Sequence, residues 1–228
     1  MLEKISQSMP AVTIFSLLVF AYLLGSIPSG YLAGKWLKGI DLREYGSGTV
    51  SGSMVWEHVA KWAVMPVGLF DIFKGALPTW LGLRLGLGEV PAMLAGGFAM
   101  VGHNWPVYLN FQGGRGFSPF LGELLVLFPW GVIIILAGLV LGNFFHSAAV
   151  PLFAVILLPI FTTWMGGPSI ILWCSMMMVL ITLIKRVEAN QRPLPANPTE
   201  RREVILRRIF LDRDIQDHQA WIRREPKE

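Results

Sequence analysis

The chain has 228 residues, 54% of them hydrophobic and only 15% charged, with a mean hydropathy of +0.55. These values exclude an ordinary soluble domain. The net charge is +4, yet 11 of the 19 Lys and Arg and 8 of the 15 Asp and Glu fall between Lys185 and Glu228, so the rest of the chain is nearly uncharged.

A hydrocarbon core about 30 Å thick takes roughly 20 apolar residues as a helix, and backbone in lipid must be satisfied within the span or a closed barrel. Long continuous apolar runs, rather than ten-residue alternating segments, select helices. The expected fold is therefore an all-α polytopic membrane protein. The first run, residues 11–36, is too long for a leader's apolar region and follows Glu3 beside Lys4, so it reads as a retained span. Further runs occupy 59–83, 89–108, 117–129, 130–145, 148–164 and 168–185. Pro129 and Gly131 suggest a turn inside the long apolar stretch. That makes about seven spans, with six as the alternative. The single cysteine, Cys174, excludes an internal disulfide framework and reads as a small buried hydrophobe.

Lys35, Lys38, Arg43 and Lys61 flank the first connection, Arg115 lies in the third, and the tail is basic, whereas the opposite side holds little beyond Arg84. The bias of Lys and Arg toward the cytoplasm then predicts an N-terminus outside and a cytoplasmic C-terminus. On that orientation two glycine-bearing turns share the cytoplasmic face: Gly46-Ser47-Gly48, which continues through Thr49, Ser51 and Ser53, and Gly113-Gly114-Arg115-Gly116. Glycines let backbone N–H groups approach an anion, and arginine adds a fixed positive charge. A phosphate is the expected guest. The alternative is a pair of plain flexible turns.

His103, at the end of the third run, reads as a general base, an anion donor or a packing group. No carboxylate in the sequence is placed to orient it, no G-x-S-x-G elbow is present, and His58, His146 and His218 are too scattered for a metal site. Asp71 and Lys74, spaced i,i+3 within the second run, reach one another. They read as a structural pair or as a device placing Lys74 beside an anionic substrate. The tail beyond a Pro-rich linker begins a helix at Asn197-Pro198, and Val204, Arg208, Leu211, Ile215, His218 and Ile222 form one stripe. This amphipathic C-terminal helix is expected to lie on the membrane surface, on its own domain or on a partner protein. Two regions result: a transmembrane domain over 1–190 and a charged cytoplasmic tail over 191–228.

The ordered motifs Ala21-Tyr22-Leu23-Leu24-Gly25-Ser26-Ile27-Pro28-Ser29-Gly30, Asp41-Leu42-Arg43 with Gly46-Ser47-Gly48, Asp71-Ile72-Phe73-Lys74-Gly75, Gly102-His103 with Pro106-Val107, and Phe111-Gln112-Gly113-Gly114-Arg115-Gly116 resemble one family. It is that of the acyl-phosphate-dependent glycerol-3-phosphate acyltransferases, the PlsY family. The resemblance implies seven spans, a bacterial inner-membrane location and a cytoplasmic site. It implies transfer of a fatty acyl group from acyl phosphate to the 1-hydroxyl of glycerol 3-phosphate, without a cofactor or metal. The implied partners are these two substrates and membrane lipid, with no nucleic acid. It further implies catalytic roles for His103 and Ser47, and substrate contacts from Arg43, Gly46, Gly48, Lys74, Gly113, Gly114, Arg115, Gly116, Ser147 and Glu188. The chain departs from the family pattern at Thr49 and Met54, where asparagines are usual, at Glu57, where an arginine is usual, and at Gln112, Pro119, Val150 and Ala189. These departures keep a second function open, a non-catalytic relative that binds lipid phosphates or regulates a true acyltransferase. A transporter is a third, disfavoured because no paired half-length segments occur.

Overall fold

The computed structural model describes the backbone over residues 2–226 and the side chains over residues 10–226. Met1, Lys227, Glu228 and the side chains of Glu3 and Lys4 lie outside the described residues. Among the described residues every regular element is helical, in agreement with the all-α expectation. The order is α1 (Leu2–Gly25), α2 (Ser29–Lys38), α3 (Gly52–His58), α4 (Val64–Arg84), α5 (Glu89–Asn104), α6 (Phe117–Leu127), α7 (Pro129–Phe144), α8 (Ala149–Trp164), α9 (Ile170–Glu188), α10 (Pro198–Leu211) and α11 (His218–Ile222).

Each apolar run becomes a helix, but the first one divides. Pro28 offers no backbone N–H, and α1 gives way to α2 across Ser26-Ile27-Pro28. The freed groups find protein partners: the Ser26 hydroxyl donates to the Tyr22 carbonyl at 2.8 Å, and Lys74 Nζ donates to the Ile27 carbonyl. Broken backbone inside an apolar bundle is tolerated where such partners exist. Phe128 separates α6 from α7, whose first residue is Pro129, so the expected turn is present.

Among the described residues, two stretches, Pro10–Lys38 and Ile170–Gln191, are long and apolar enough to cross a membrane; α6, α7 and α8 are apolar but shorter. The outer faces carry exposed Phe15, Ile133, Val140, Ile160 and Leu180, a pattern that suits lipid rather than water.

Helix α4 lies at the centre, packed on α1, α5 and α6. The closest crossing is α4 on α6, where a Cβ on Gly75 would collide with the Pro119 carbonyl and one on Gly122 with the Ile72 carbonyl. Without a hydrophobic gradient between helices in lipid, such close backbone contact supplies the packing energy. The main apolar core gathers Met100, Phe120, Leu124, Ile135, Leu158, Ile171, Cys174 and Met178 from α5 to α9, and Cys174 is buried as expected.

The tail departs from expectation. Asn197 caps α10 as predicted, its side chain accepting from the Thr199 and Glu200 N–H groups, but the helix stops at Leu211 and Asp212 turns left-handed at φ 56°. The expected stripe is therefore split: Val204 and Arg208 are buried on the domain, while His218 and Ile222 belong to α11. An aspartate adopts that conformation at lower cost than a bulkier residue. Of the three expected surfaces, the observed one is the protein's own domain.

Candidate active site

The first cluster is built on the central helices. Asp71 Oδ1 on α4 accepts from Lys74 Nζ at 2.6 Å and from the Ser29 hydroxyl at the start of α2 at 2.6 Å. The same oxygen stands 3.6 Å from His103 Nδ1 at the end of α5. This corrects the sequence expectation that no carboxylate orients His103. Asp71 was recognised as the partner of Lys74, but its approach to α5 depends on how the two helices cross. Lys74 is fully buried, and its described donors go to Asp71, the Ile27 carbonyl and Ser29. It ties the α1–α2 break to α4.

The second cluster is built on turns. Gly114 rests against the His103 ring, where a Cβ would run into Nε2, and its N–H donates to the His103 carbonyl at 3.0 Å. The turn thus folds back on the end of α5. Gly116, at φ 82°, then starts α6. Ser47 is buried; its hydroxyl lies 2.7 Å from Thr49 Oγ1 in a chain that continues through Ser51 and Ser53 at 2.9 and 3.0 Å. Thr49, a departure from the family pattern, is therefore part of a hydroxyl relay.

The two turns meet through Asn190. Its Nδ2 donates to the Gly48 carbonyl at 2.7 Å and to the Gly113 carbonyl at 3.1 Å, while its Oδ1 is buried without a hydrogen-bond partner. Asn190 stands in a run of left-handed residues, Ala189, Asn190 and Gln191, that ends α9 abruptly and turns the amide inward. Sequence reasoning missed it. The only local signal was an asparagine next to the last apolar run, where left-handed backbone favours Asn.

Ser47 and Arg115 line one cleft together with Arg186, Arg192, Arg208, Asp212, Arg213 and Asp214. Arg192 donates to the Gly46 carbonyl at 2.8 Å and approaches Asp214 at 3.5 Å. Burial and the nearby charge of Arg224 pull the Arg192 pKa down, against the pull of Asp214. Of these cations, only Arg115 was expected at the site from sequence.

Other expected residues are placed differently. Arg43 is engaged with Asp41, at 2.6 Å, and with the Leu109 carbonyl. Burial pushes the Asp41 carboxyl up, but the Arg43 hydrogen bonds outweigh it and hold the pKa below the usual carboxylate value. Glu188 pairs with Lys185 at 3.0 Å and accepts from the Gln191 N–H. Ser147 lines an adjoining cavity of about 230 Å³ that shares Asp212 and Arg213 with the arginine cleft. Glu57, the reversed charge, is not among the residues lining that cleft; it faces Arg223 at 3.7 Å. The backbone donors expected to cradle a phosphate are partly engaged: Gly46 N–H with the Arg224 carbonyl and Gly48 N–H with the Tyr45 carbonyl, both at 2.8 Å. Positive charge comes mainly from side chains. Among the described residues no three of His, Cys, Asp or Glu gather as metal ligands.

The family model for glycerol-3-phosphate acyltransferase matches residues 15–194. Glycerol-3-phosphate acyltransferase 5 of Dehalococcoides mccartyi is 36% identical over 213 residues, 90% of this chain and 91% of that one. The glycerol-3-phosphate acyltransferase of a Synechococcus strain is 39% identical over 186 residues, 78% of this chain and 92% of that one. Among solved structures, the crystal structure of PlsY (YgiH), an integral membrane glycerol 3-phosphate acyltransferase, in its glycerol 3-phosphate form matches with a TM-score of 0.68 and 28% identity, covering 79% of this chain and 91% of that one. Its lysophosphatidic acid form matches with a TM-score of 0.66. This chain belongs to the glycerol-3-phosphate acyltransferase family and is an integral membrane acyltransferase of the PlsY type.

Proposed function

We propose that this chain transfers a fatty acyl group from acyl phosphate to the 1-hydroxyl of glycerol 3-phosphate, releasing lysophosphatidate and phosphate for phospholipid synthesis. The hydroxyl oxygen attacks the acyl carbonyl, the carbonyl–phosphate bond breaks, and phosphate leaves with the bonding electrons. His103, with Nδ1 toward Asp71, takes the hydroxyl proton at Nε2, and Ser47 helps hold the acceptor. Because acyl phosphate is already activated, holding two substrates in register and neutralising charge supply most of the acceleration. Arg115 and Arg192 hold phosphate oxygens. Gly46, Gly48, Gly113, Gly114 and Gly116 let the turns approach, and Lys74 acts through Asp71. Ser147 lines the adjoining cavity, while Arg43 and Glu188 act from their own ion pairs with Asp41 and Lys185.

The observation that carries this reading is the joining of His103, the 113–116 turn and the 46–48 turn, through Gly114 on the ring and Asn190 between the turns. An apolar groove of about 400 Å³, lined by Ile27, Leu32, Trp36, Trp62 and Phe70 and reaching Ser29, suits the acyl chain. Glu57 stands outside the arginine cleft and faces Arg223, an arrangement that supports an anionic acceptor. The protein is a seven-span component of the bacterial inner membrane, N-terminus outside, with residues 1–190 in the transmembrane domain and 191–228 in a cytoplasmic tail. Purified protein given acyl phosphate and radiolabelled glycerol 3-phosphate is expected to yield labelled lysophosphatidate. Activity with acyl thioesters alone would overturn the donor assignment, and product absent at every acyl length would favour a non-catalytic role.

A further inference from the structure

The arginine cleft is already occupied, and by the chain's own carboxylates. Asp212 meets Arg115 through Oδ2, which accepts from Nε at 3.0 Å, while Oδ1 lies 2.9 Å from Nη2 as an ion-pair contact without a hydrogen bond of its own. A guanidinium receives a carboxylate or a phosphate oxygen on the same N–H edge, and here the second carboxylate oxygen is left without a hydrogen bond. Asp214 stands 2.7 Å from Arg208 and 3.5 Å from Arg192. The segment then crosses the first glycine turn: the Arg224 carbonyl takes the Gly46 N–H, and His58 Nε2 contacts the Ile222 carbonyl at 2.8 Å. With these groups in place the cleft retains a cavity of about 10 Å³, room for no more than a water molecule. A phosphate does not fit beside them.

We infer that residues 212–224 form an autoinhibitory strap, with the Asp212 carboxylate seated on Arg115 where substrate phosphate binds. The inference rests on the assignment of Arg115 as a phosphate contact. The cleft gathers five guanidinium groups, Arg115, Arg186, Arg192, Arg208 and Arg213, against two carboxylates, Asp212 and Asp214. Positive charge is in excess, and a dianion satisfies it better than one carboxylate. The strap is tied to α10 by the Asp214–Arg208 pair, but α10 has a separate hold on the domain. Arg186 donates to the Ile209 carbonyl and Arg208 to the Val187 carbonyl, so α10 is pinned to α9. Beyond Leu211 the chain turns at left-handed Asp212 into irregular backbone before the short α11. Release of Asp212 frees Arg115 and opens the cleft while the contacts of α10 to α9 stay in place. In the closed state the strap keeps the site from free anions until substrate phosphate competes it away.

The test uses the full-length protein in initial-rate measurements against glycerol 3-phosphate. D212N is expected to lower KM about threefold to tenfold, the scale of a partly exposed ion pair, with kcat unchanged or raised. Inorganic phosphate is expected to inhibit D212N at correspondingly lower concentration. A raised KM or reduced kcat in D212N would mean that Asp212 supports Arg115 for catalysis, and overturns the strap. R115A separates the two proposals: unchanged KM in R115A removes the phosphate assignment itself, whereas a raised KM in R115A with an unchanged KM in D212N removes only the strap. An independent readout in the wild-type protein is trypsin cleavage after Arg213. Saturating inorganic phosphate is expected to accelerate it as the strap leaves, and cleavage unchanged or slowed overturns the inference.

Discussion

The two halves of the candidate site are built on opposite principles. The Ser29–Asp71–Lys74–His103 cluster is drawn from helices α2, α4 and α5, and its single carboxylate is surrounded by donors inside the bundle. The arginine cleft is drawn from turns, the last turn of α9 and the tail, and its cations outnumber its carboxylates. A group that orients a proton acceptor needs fixed geometry, which rigid helices supply. A group that receives a charged substrate needs unsatisfied charge and a way in, which loops supply more readily than packed helices. The contrast teaches that, on the proposed function, charge balance separates the orienting part of this site from the receiving part.

The sharpest way to test that contrast is at the helical cluster. His103→Ala is expected to lower kcat about 10²- to 10⁴-fold with little change in the affinity for glycerol 3-phosphate, as loss of a general base does; a change confined to KM would make His103 a binding group. Next is Asp71→Asn, which leaves the Lys74 ammonium buried beside a neutral partner. A loss of about 3–5 kcal/mol of stability is expected, read as a lowered melting temperature in detergent, and a variant as stable as the wild type would show the pair to be dispensable to the fold. At the junction of the two halves, Asn190→Ala removes both hydrogen bonds between the turns and leaves two buried carbonyls unpaired. It is expected to cost about 1–3 kcal/mol, seen as a raised KM for glycerol 3-phosphate of about fivefold or more. Retained KM would show that the turns hold their places without it. The smallest effect belongs to Glu57→Gln. Its 3.7 Å contact with the exposed Arg223 lies outside the cleft, so activity and stability are expected to stay within about 0.5 kcal/mol of wild type.

The legibility of this protein in its sequence followed the range of the forces involved. The apolar runs announced α4 to α9 to within a few residues, because hydropathy over a helical length is a local property. Asn197 and Pro198 announced the start of α10 for the same reason: a cap is satisfied within one turn. The glycine turns were legible as special, and their meeting was an inference from charge placement. What held them together was not legible, since Asn190 acts on carbonyls 142 and 77 residues away along the chain. Asp71 was visible as a neighbour of Lys74, but its approach to His103 required the packing of α4 on α5. The amphipathic stripe of the tail failed at Asp212, where pairing with Arg115 accompanies the end of the helix.

By itself, the sequence determined the helical membrane class and the extent of most helices, because burial of apolar length and local backbone chemistry need no partners. Only the tertiary structure decided which carboxylate faces His103, which amide joins the turns and which side chains now fill the arginine cleft. Those pairings depend on distances between elements remote in the chain, and periodicity, composition and capping carry no record of them.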